Sequence, residues 1–434
     1  GGTCLNVGCI PTKMFVRPAD LARTHAAAAQ VNVELPAGKP DWDAVRDRIF
    51  GRIDAIATSG KDYRIANEHL TLLEGEARFT AAKTLGVAGG KLTADRFVLA
   101  AGSRPRLLPV EIPEGVTVHT SDTIMRLPRL PKRLVIIGGG YIAAEFAHIF
   151  SSFGTKVAII NRSGTLLRRE DETVRARFTQ LMSKQLTVRL NQEIARIEPD
   201  DDGDILVVTK DPEGIEYEYG TEVVLNATGR IPNGDTLNLA AAGIEMDPET
   251  GLVRVDDYQR TTADGVFALG DVCSPAQLKH VANHEMRVVQ HNLLHPEDPV
   301  QSNHNAIPHA VFSHPQVASV GATEQELRED GRRYAAVVQD FGSVAYGWAM
   351  EDQDSFCKLL ADPESGQLLG AHIIGEQAST LIQPLVQAMS FGLSVRDMAR
   401  GQYWIHPALT EVVENALLSL PIPGYDREPD PVDE

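Results

Sequence analysis

The stretch RLVIIGGGYIAAEFAHIFSSFGTKVAIINRSG, residues 133–164, constrains the fold of this chain more than any other. Residues 134–137 form an apolar run of the kind that fills a buried parallel strand. Gly138, Gly140 and Ala143 follow at the G-x-G-x-x-A spacing. A helical pattern then runs over 141–153, Gly154 ends it, and residues 157–160 read as a second strand. Strand, glycine turn, helix and strand in that order make a βαβ unit that binds a dinucleotide. The first glycine permits the tight turn, the second lets the backbone approach a pyrophosphate, and the alanine lets helix and strand pack closely.

Other segments extend this α/β reading. LAAGSRP (99–105) and LNATGRIPN (225–233) each follow an apolar run and turn on a glycine, Gly102 and Gly229, as strand ends do where a chain crosses between domains. In TTADGVFALGDVC (261–273) residues 266–269 read as a strand, with Gly270 and Asp271 at its carboxyl end, where open α/β sheets bind their ligands. Beyond about residue 305 the texture becomes α+β. AVFSHPQVASVG, FCKLLAD and LLGAHIIG read as strands, and ASTLIQPLVQAMSFGLS and LTEVVENALLSL as helices apolar on one face. The formal charge of −18 argues against nucleic acid or an anionic membrane as the main partner, because both select a basic face. No apolar run is long enough to span a bilayer.

Half of the four cysteines fall in the opening GGTCLNVGCIPTK. So few thiols in 434 residues are not a secreted disulfide scaffold, so a reducing, cytoplasmic setting is expected. Disulfide partners need Cα atoms about 4.4–6.8 Å apart, and a five-residue step in a regular helix rises about 7.5 Å. Cys4 and Cys9 therefore require a loosened turn, for which Gly8 and Pro11 are suited. Pro11 fits the first turn of a helix beginning near Cys9, and Pro18 is expected to break or kink it. Cys9 at a helix N-terminus is placed where the dipole favours a thiolate. A pair of buried thiols and a zinc half-site are the alternatives to a redox dithiol; no CxxC or neighbouring His/Cys pair completes a metal site. Lys13 lies one turn beyond Cys9, either as an ordinary surface lysine or as a cation beside the redox pair. Cys273 and Cys357 read as core.

GGTCLNVGCIPTK, GGGYIAAE, ATGR, GVFALGDV and WIHPALTEVVENALL occur in the order in which they stand in the flavin-dependent class I pyridine nucleotide disulfide oxidoreductases, and over its whole length the chain resembles that family. The resemblance implies two nested dinucleotide-binding, Rossmann-like domains and a C-terminal α+β dimerisation domain. Their expected bounds are FAD-binding 1–110, NADPH-binding 111–230, a return to the FAD-binding region over 231–304, dimerisation 305–424, and a flexible tail 425–434. It implies FAD and NADPH as cofactors and a low-molecular-weight thiol disulfide as substrate. Cys9 would be the thiol nearest the flavin and Cys4 the interchange thiol. Lys13 would lie near the reactive flavin nitrogen, paired with Glu145, and Tyr141 would gate the nicotinamide pocket. His406, oriented by Glu411, would act in the partner subunit's site, making a homodimer with shared active sites. Gly2, Thr3, Lys13, Gly102, Gly270 and Asp271 are the implied FAD contacts; Gly138, Gly140, Tyr141, Ala143, Arg162, Arg168 and Gly229 are those for NADPH.

The nucleotide choice is legible in the residues. An NAD site usually has an acidic residue about 20 positions past the first glycine. Here stand Asn161 and Arg162, with Arg168 further on, and guanidinium suits a 2′-phosphate. NADPH is expected over NADH. His280, His314 and His372 are expected to be structural. The family's own first glycine motif, for the ADP part of FAD, is absent. The expectation is therefore an N-terminally incomplete version of an active enzyme, lacking the first strand of its FAD domain and binding flavin poorly. A dihydrolipoamide dehydrogenase and a flavin-free nucleotide-binding fragment are the competing readings.

Overall fold

The computed structural model describes residues 2–200 and 203–423; the tail expected over 425–434 lies outside them. The βαβ unit forms as the sequence predicts, with strand Arg133–Ile137, helix Tyr141–Ser152 and strand Lys156–Asn161. They belong to a five-stranded, all-parallel sheet in the order Val118–His119, Val223–Asn226, Arg133–Ile137, Lys156–Asn161, Thr187–Leu190. Its central strand is apolar on both faces because both are covered, Leu134 and Ile136 on one side and Val135 and Ile137 on the other. An antiparallel meander, Glu193–Pro199, Ile205–Lys210 and Glu216–Thr221, is inserted before the sheet's last strand in sequence.

Strand Phe97–Leu99 pairs in parallel with Val266–Ala268, and Ser103–Pro105 pairs antiparallel with Arg230–Pro232. The two glycine-turned segments, 99–105 and 225–233, thus meet side by side, as expected of a double crossing between domains. The C-terminal sheet is wholly antiparallel, in the order Pro308–Val311, Val317–Gly321, Leu368–Ile374, Phe356–Ala361, Ala335–Asp340. Helices Gln383–Phe391 and Thr410–Leu418 contribute Leu385, Ala388, Val412 and Val413 to its core.

The opening cysteines lie on two helices, Thr3–Asn6 and Cys9–Gln30, separated by Val7 and Gly8. The break expected at Pro18 is not there: the second helix runs through it without interruption. Proline removes one backbone donor, but tertiary packing outweighs that loss, since Phe15, Val16, Ala19 and Ala22 on either side of it are buried. This helix crosses the nucleotide helix Tyr141–Ser152, and Phe15, Val16 and Ala19 share one core with Ala143, Ala147 and Phe150. Small residues at 143, 144 and 147 allow the close crossing. Trp42, opening the helix Trp42–Ala66, stacks on Phe15 with centroids 5.2 Å apart and donates its indole N–H to Leu127 O at 2.9 Å. The apolar contact fixes which turn of the helix Cys9–Gln30 faces which turn of the helix Tyr141–Ser152.

Candidate active site

Gly8 holds the loosened turn. A Cβ at this position would stand 2.9 Å from Thr3 O, so only glycine lets the two short segments fold back on each other. Cys9 is the first residue of its helix, and the side chains of Cys4 and Cys9 are hydrogen-bonded to each other as free thiols. Cys9 reaches solvent at the mouth of a recess of about 550 Å³ that it lines with Lys13, Arg17, Arg48 and Arg52. The expected helix-favoured thiolate is corrected here. Burial of its surroundings and the hydrogen bond with Cys4 push the Cys9 thiol up to about 12, and the nearby Lys13 charge only partly opposes them.

One turn further, Lys13 Nζ donates to both oxygens of Glu145 at 2.6 and 2.7 Å. Glu145 is 5% exposed, on the nucleotide helix. It also accepts the backbone N–H of Phe312 at 3.0 Å, and the Phe312 ring lies 4.6 Å from Lys13 Nζ. The helix Cys9–Gln30, the helix Tyr141–Ser152 and the C-terminal region thus meet at one ion pair. Tyr141, at the first position of the nucleotide helix, is half-exposed. Its hydroxyl is raised above the ordinary value by loss of water, with Asp271, Glu145 and Cys9 adding in the same direction against Arg230. The same interactions place Tyr141 among the expected flavin and redox residues.

The dinucleotide turn has the form its glycines require. Gly138 has φ +119°, and a Cβ there would stand 2.4 Å from Ala227 O; one at Gly139 would stand 2.6 Å from the Asn161 side chain. At Gly140 the same space is open. Ala143 is fully buried. The following helix has no side-chain cap, so its first N–H groups are free for an anion. Asn161, where an acidic ribose ligand would stand, donates to Ser163 O at 3.0 Å and Thr165 O at 2.8 Å and is thereby occupied by its own loop. Arg162 and Arg168 are exposed on that loop and make no ion pair among the described residues. An open cradle, free helix N–H groups and two unpaired guanidiniums fit a phosphorylated dinucleotide.

At the crossing strands, Asp271 Oδ2 accepts from Ser103 Oγ at 2.6 Å, and Ser103 accepts from Arg230 Nε at 2.8 Å. Arg230 also donates to Ser103 O at 2.7 Å and lies 3.7 Å from Asp122. Gly270 N–H donates to the buried Glu285 at 2.6 Å, and Glu285 pairs with His304 at 3.0 Å. Gly2, Gly102 and Gly229 all have positive φ and open space where a Cβ would stand; Thr3 opens the first short helix. A carboxylate with one oxygen held and the other unpartnered, beside open glycines, fits the hydroxyl-bearing part of a flavin cofactor. Arg230, Ser103, Glu285 and Phe312 are additions to the expected set. Only Arg230 had a local signal, as the last residue of ATGR.

His406 stands apart from these groups, exposed near the C-terminus. Its Nδ1 is 2.7 Å from Glu411 Oε1, and Glu411 Oε2 accepts the Ala408 N–H at 3.2 Å. The hydrogen bond from His406 holds the Glu411 carboxyl below the usual range against a smaller opposing effect of burial. Of the three histidines expected to be structural, His280 bonds Pro308 O at 2.8 Å, His372 bonds Ala322 O at 3.0 Å, and burial lowers His314 to about 4. Cys273 and Cys357 are buried, and burial pushes both thiols up. No group of acidic, histidine or cysteine side chains that could hold a metal ion occurs among the described residues.

Against known families, residues 1–292 match the profile of the pyridine nucleotide-disulphide oxidoreductases, and residues 307–417 match the dimerisation domain of the same family. This chain belongs to the pyridine nucleotide-disulphide oxidoreductase family. The family's chemistry makes it an NAD(P)H-dependent disulfide oxidoreductase, with FAD and NADPH as cofactors. Mycothione reductase of Mycobacterium tuberculosis (strain H37Rv) is 49% identical over 430 residues, covering 97% of this chain and 92% of that protein. Within the family, TKMFV, YIAAEFAHIF and KHVANHE resemble that branch. Dihydrolipoyl dehydrogenase of Corynebacterium glutamicum is 33% identical, covering 96% of this oxidoreductase and 90% of that protein. Among solved structures, the HOCl-induced flavoprotein disulfide reductase RclA from Escherichia coli superposes with a TM-score of 0.82 at 26% identity, covering 96% of this chain and 91% of that one. The two nested nucleotide-binding regions and the C-terminal α+β domain are thus the fold of a flavoprotein disulfide reductase. No helix among the described residues is long and apolar enough to cross a membrane.

Proposed function

We propose that this oxidoreductase reduces mycothiol disulfide, mycothione, with electrons from NADPH through the Cys4–Cys9 pair. The carrying observation is a pair of thiols hydrogen-bonded to each other, with Cys9 one turn from Lys13, whose ion pair with Glu145 ties the helix Cys9–Gln30 to the dinucleotide helix. The 49% relative supports the choice of substrate. Cofactor contacts follow the fit described above: Gly138, Gly140, Tyr141, Ala143, Arg162, Arg168 and Gly229 for NADPH, and Gly2, Thr3, Lys13, Gly102, Gly270 and Asp271 for FAD. Bound FAD supplies the relay that passes two electrons from NADPH to the Cys4–Cys9 disulfide.

The remaining chemistry belongs to the chain. Cys4, as a thiolate, attacks one sulfur of the substrate disulfide, forming a mixed disulfide and releasing one thiol. Cys9 then attacks the Cys4 sulfur, which releases the second thiol and restores the Cys4–Cys9 bond. The family resemblance gives the exchange role to Cys4, and a base must draw the Cys9 proton in the second step. His406 of the partner subunit is that acid and base, with Glu411 fixing its ring. The homodimer is supported by Trp348, Phe391, Tyr403 and Ile405, large apolar residues that a single chain leaves exposed in the C-terminal region. Domain bounds of 1–110, 111–230, 231–304 and 305–424, and a cytoplasmic site of action, complete the proposal.

The test is substrate ranking with flavin-loaded protein. NADPH oxidation on adding mycothiol disulfide is expected to exceed that with NADH, and to exceed NAD-linked oxidation of dihydrolipoamide, each by at least about tenfold in kcat/KM, which is about 1.4 kcal/mol. Faster turnover of dihydrolipoamide with NAD would instead favour a dihydrolipoamide dehydrogenase. NADPH binding by a protein that takes up no flavin would favour a nucleotide-binding fragment.

A further inference from the structure

We propose that the C-terminal domain positions the loop that reads the 2′-phosphate of NADPH, with His309 and Ser319 as positioning residues. The inference rests on the reading of Arg162 and Arg168 as phosphate ligands. Both arginines lie on the segment 162–171, between the strand Lys156–Asn161 and the helix Glu172–Gln185. Its beginning is held by the Asn161 side chain. Its middle is held at Leu167, which adopts φ +48° and donates its N–H to Gly139 O at 2.7 Å in the dinucleotide turn. A leucine in the left-handed region is strained and persists only where its surroundings impose it.

What imposes it begins three residues on, at Glu170, and reaches into the C-terminal domain. Glu170 is 5% exposed, and its two oxygens meet His309 Nε2 and Ser319 Oγ, each at 2.6 Å. Both partners belong to neighbouring strands of the C-terminal sheet, where His309 is paired directly with Ser319. Asp171, fully buried, pairs with Lys358 of the same sheet at 2.7 Å. Burying these charges is costly, and apolar groups of the same volume would pack at least as well. Such a network therefore serves to define position, and what it positions here is the end of the arginine loop. Burial alone would lower His309, but the Glu170 hydrogen bond and charge hold it above its ordinary value, so the contact has ionic character.

Binding of adenosine 2′,5′-bisphosphate and of 5′-AMP to the holoenzyme separates the possibilities, read by displacement of a fluorescent nucleotide. His309→Gln and Ser319→Ala are compared with Arg162→Ala and Arg168→Ala. The expected result is a loss of at least fivefold in affinity for the bisphosphate in all four variants, with 5′-AMP unchanged. In the His309 and Ser319 variants, KM for NADPH rises while KM for NADH and kcat with the disulfide are retained. Ser319→Ala, which removes a single hydroxyl, keeps the test open if His309→Gln folds poorly. If the arginine variants bind the bisphosphate normally, the phosphate reading itself fails. If the arginine variants lose binding but the His309 and Ser319 variants do not, or lose both ligands equally, the positioning role is overturned.

Discussion

Cys4→Ser is expected to lower disulfide turnover by at least about 10⁴-fold, while NADPH still reduces the bound flavin. The physical reason is that serine cannot form a mixed disulfide, and a hydroxyl at neutral pH is a far weaker nucleophile than a thiolate. The turn at Gly8 between the helices Thr3–Asn6 and Cys9–Gln30 places Cys4 and Cys9 within hydrogen-bond reach, so Cys9 can attack the Cys4 sulfur once Cys4 has formed the mixed disulfide. Serine changes that geometry little. The Lys13–Glu145 pair and the dinucleotide turn, which do not involve Cys4, remain. Anaerobic stopped-flow absorbance separates flavin reduction from product thiol release. Retained turnover in Cys4→Ser would assign exchange to Cys9.

His406→Ala is expected to lower kcat with the disulfide by about 10²–10⁴-fold, the usual contribution of a positioned acid–base group, without weakening NADPH binding. An ionised Glu411 can only accept, so its bond to Nδ1 fixes the proton there and leaves Nε2 to exchange protons with the reacting thiols. The sign of the pH effect follows. The Glu411 carboxyl is depressed by His406, so its orienting contact is complete above the ordinary carboxylate range and is lost only as pH falls through the lowered value. Glu411→Gln keeps a hydrogen-bond acceptor but can also turn its amide N–H₂ toward the ring, so it no longer fixes the proton on Nδ1. The expected result is a loss in kcat of about tenfold, smaller than that of His406→Ala. An unchanged kcat in Glu411→Gln would remove Glu411 from the mechanism. Mixing inactive His406→Ala with inactive Cys4→Ser protomers is expected to restore activity, because such a heterodimer has one site with both residues intact.

The parts of the fold that were legible are those encoded within one contiguous segment. The dinucleotide unit at 133–161 carries strand, turn and helix signals in register, and it forms within a residue of its expected bounds at each strand. The pairing of 103–105 with 230–232 was foreshadowed by two similar glycine-turned ends. Contacts made over long separations were not legible from local pattern. Phe312 meets Glu145 across 167 positions and Ser319 meets Glu170 across 149; neither side carries a local mark of the other. Pro18 was misread for a related reason. Its intrinsic tendency to break a helix is real, but burial of Phe15, Val16, Ala19 and Ala22 around it decides the outcome. For Cys9 the helix terminus alone was an incomplete guide, because the loss of water and the hydrogen bond with Cys4 both push its thiol up.

The central claim is that Cys4 and Cys9 are the pair through which electrons leave the protein. Its most direct test is alkylation of flavin-loaded protein under anaerobic conditions, with each cysteine read by mass spectrometry before and after NADPH. Cys273 and Cys357, both buried, serve as internal controls that do not label in the folded protein. Before NADPH, neither Cys4 nor Cys9 is expected to label; after two equivalents, Cys4 labels first and Cys9 more slowly, and mycothiol disulfide added before the reagent protects both. Labelling of Cys4 and Cys9 that is the same with and without NADPH would contradict the account.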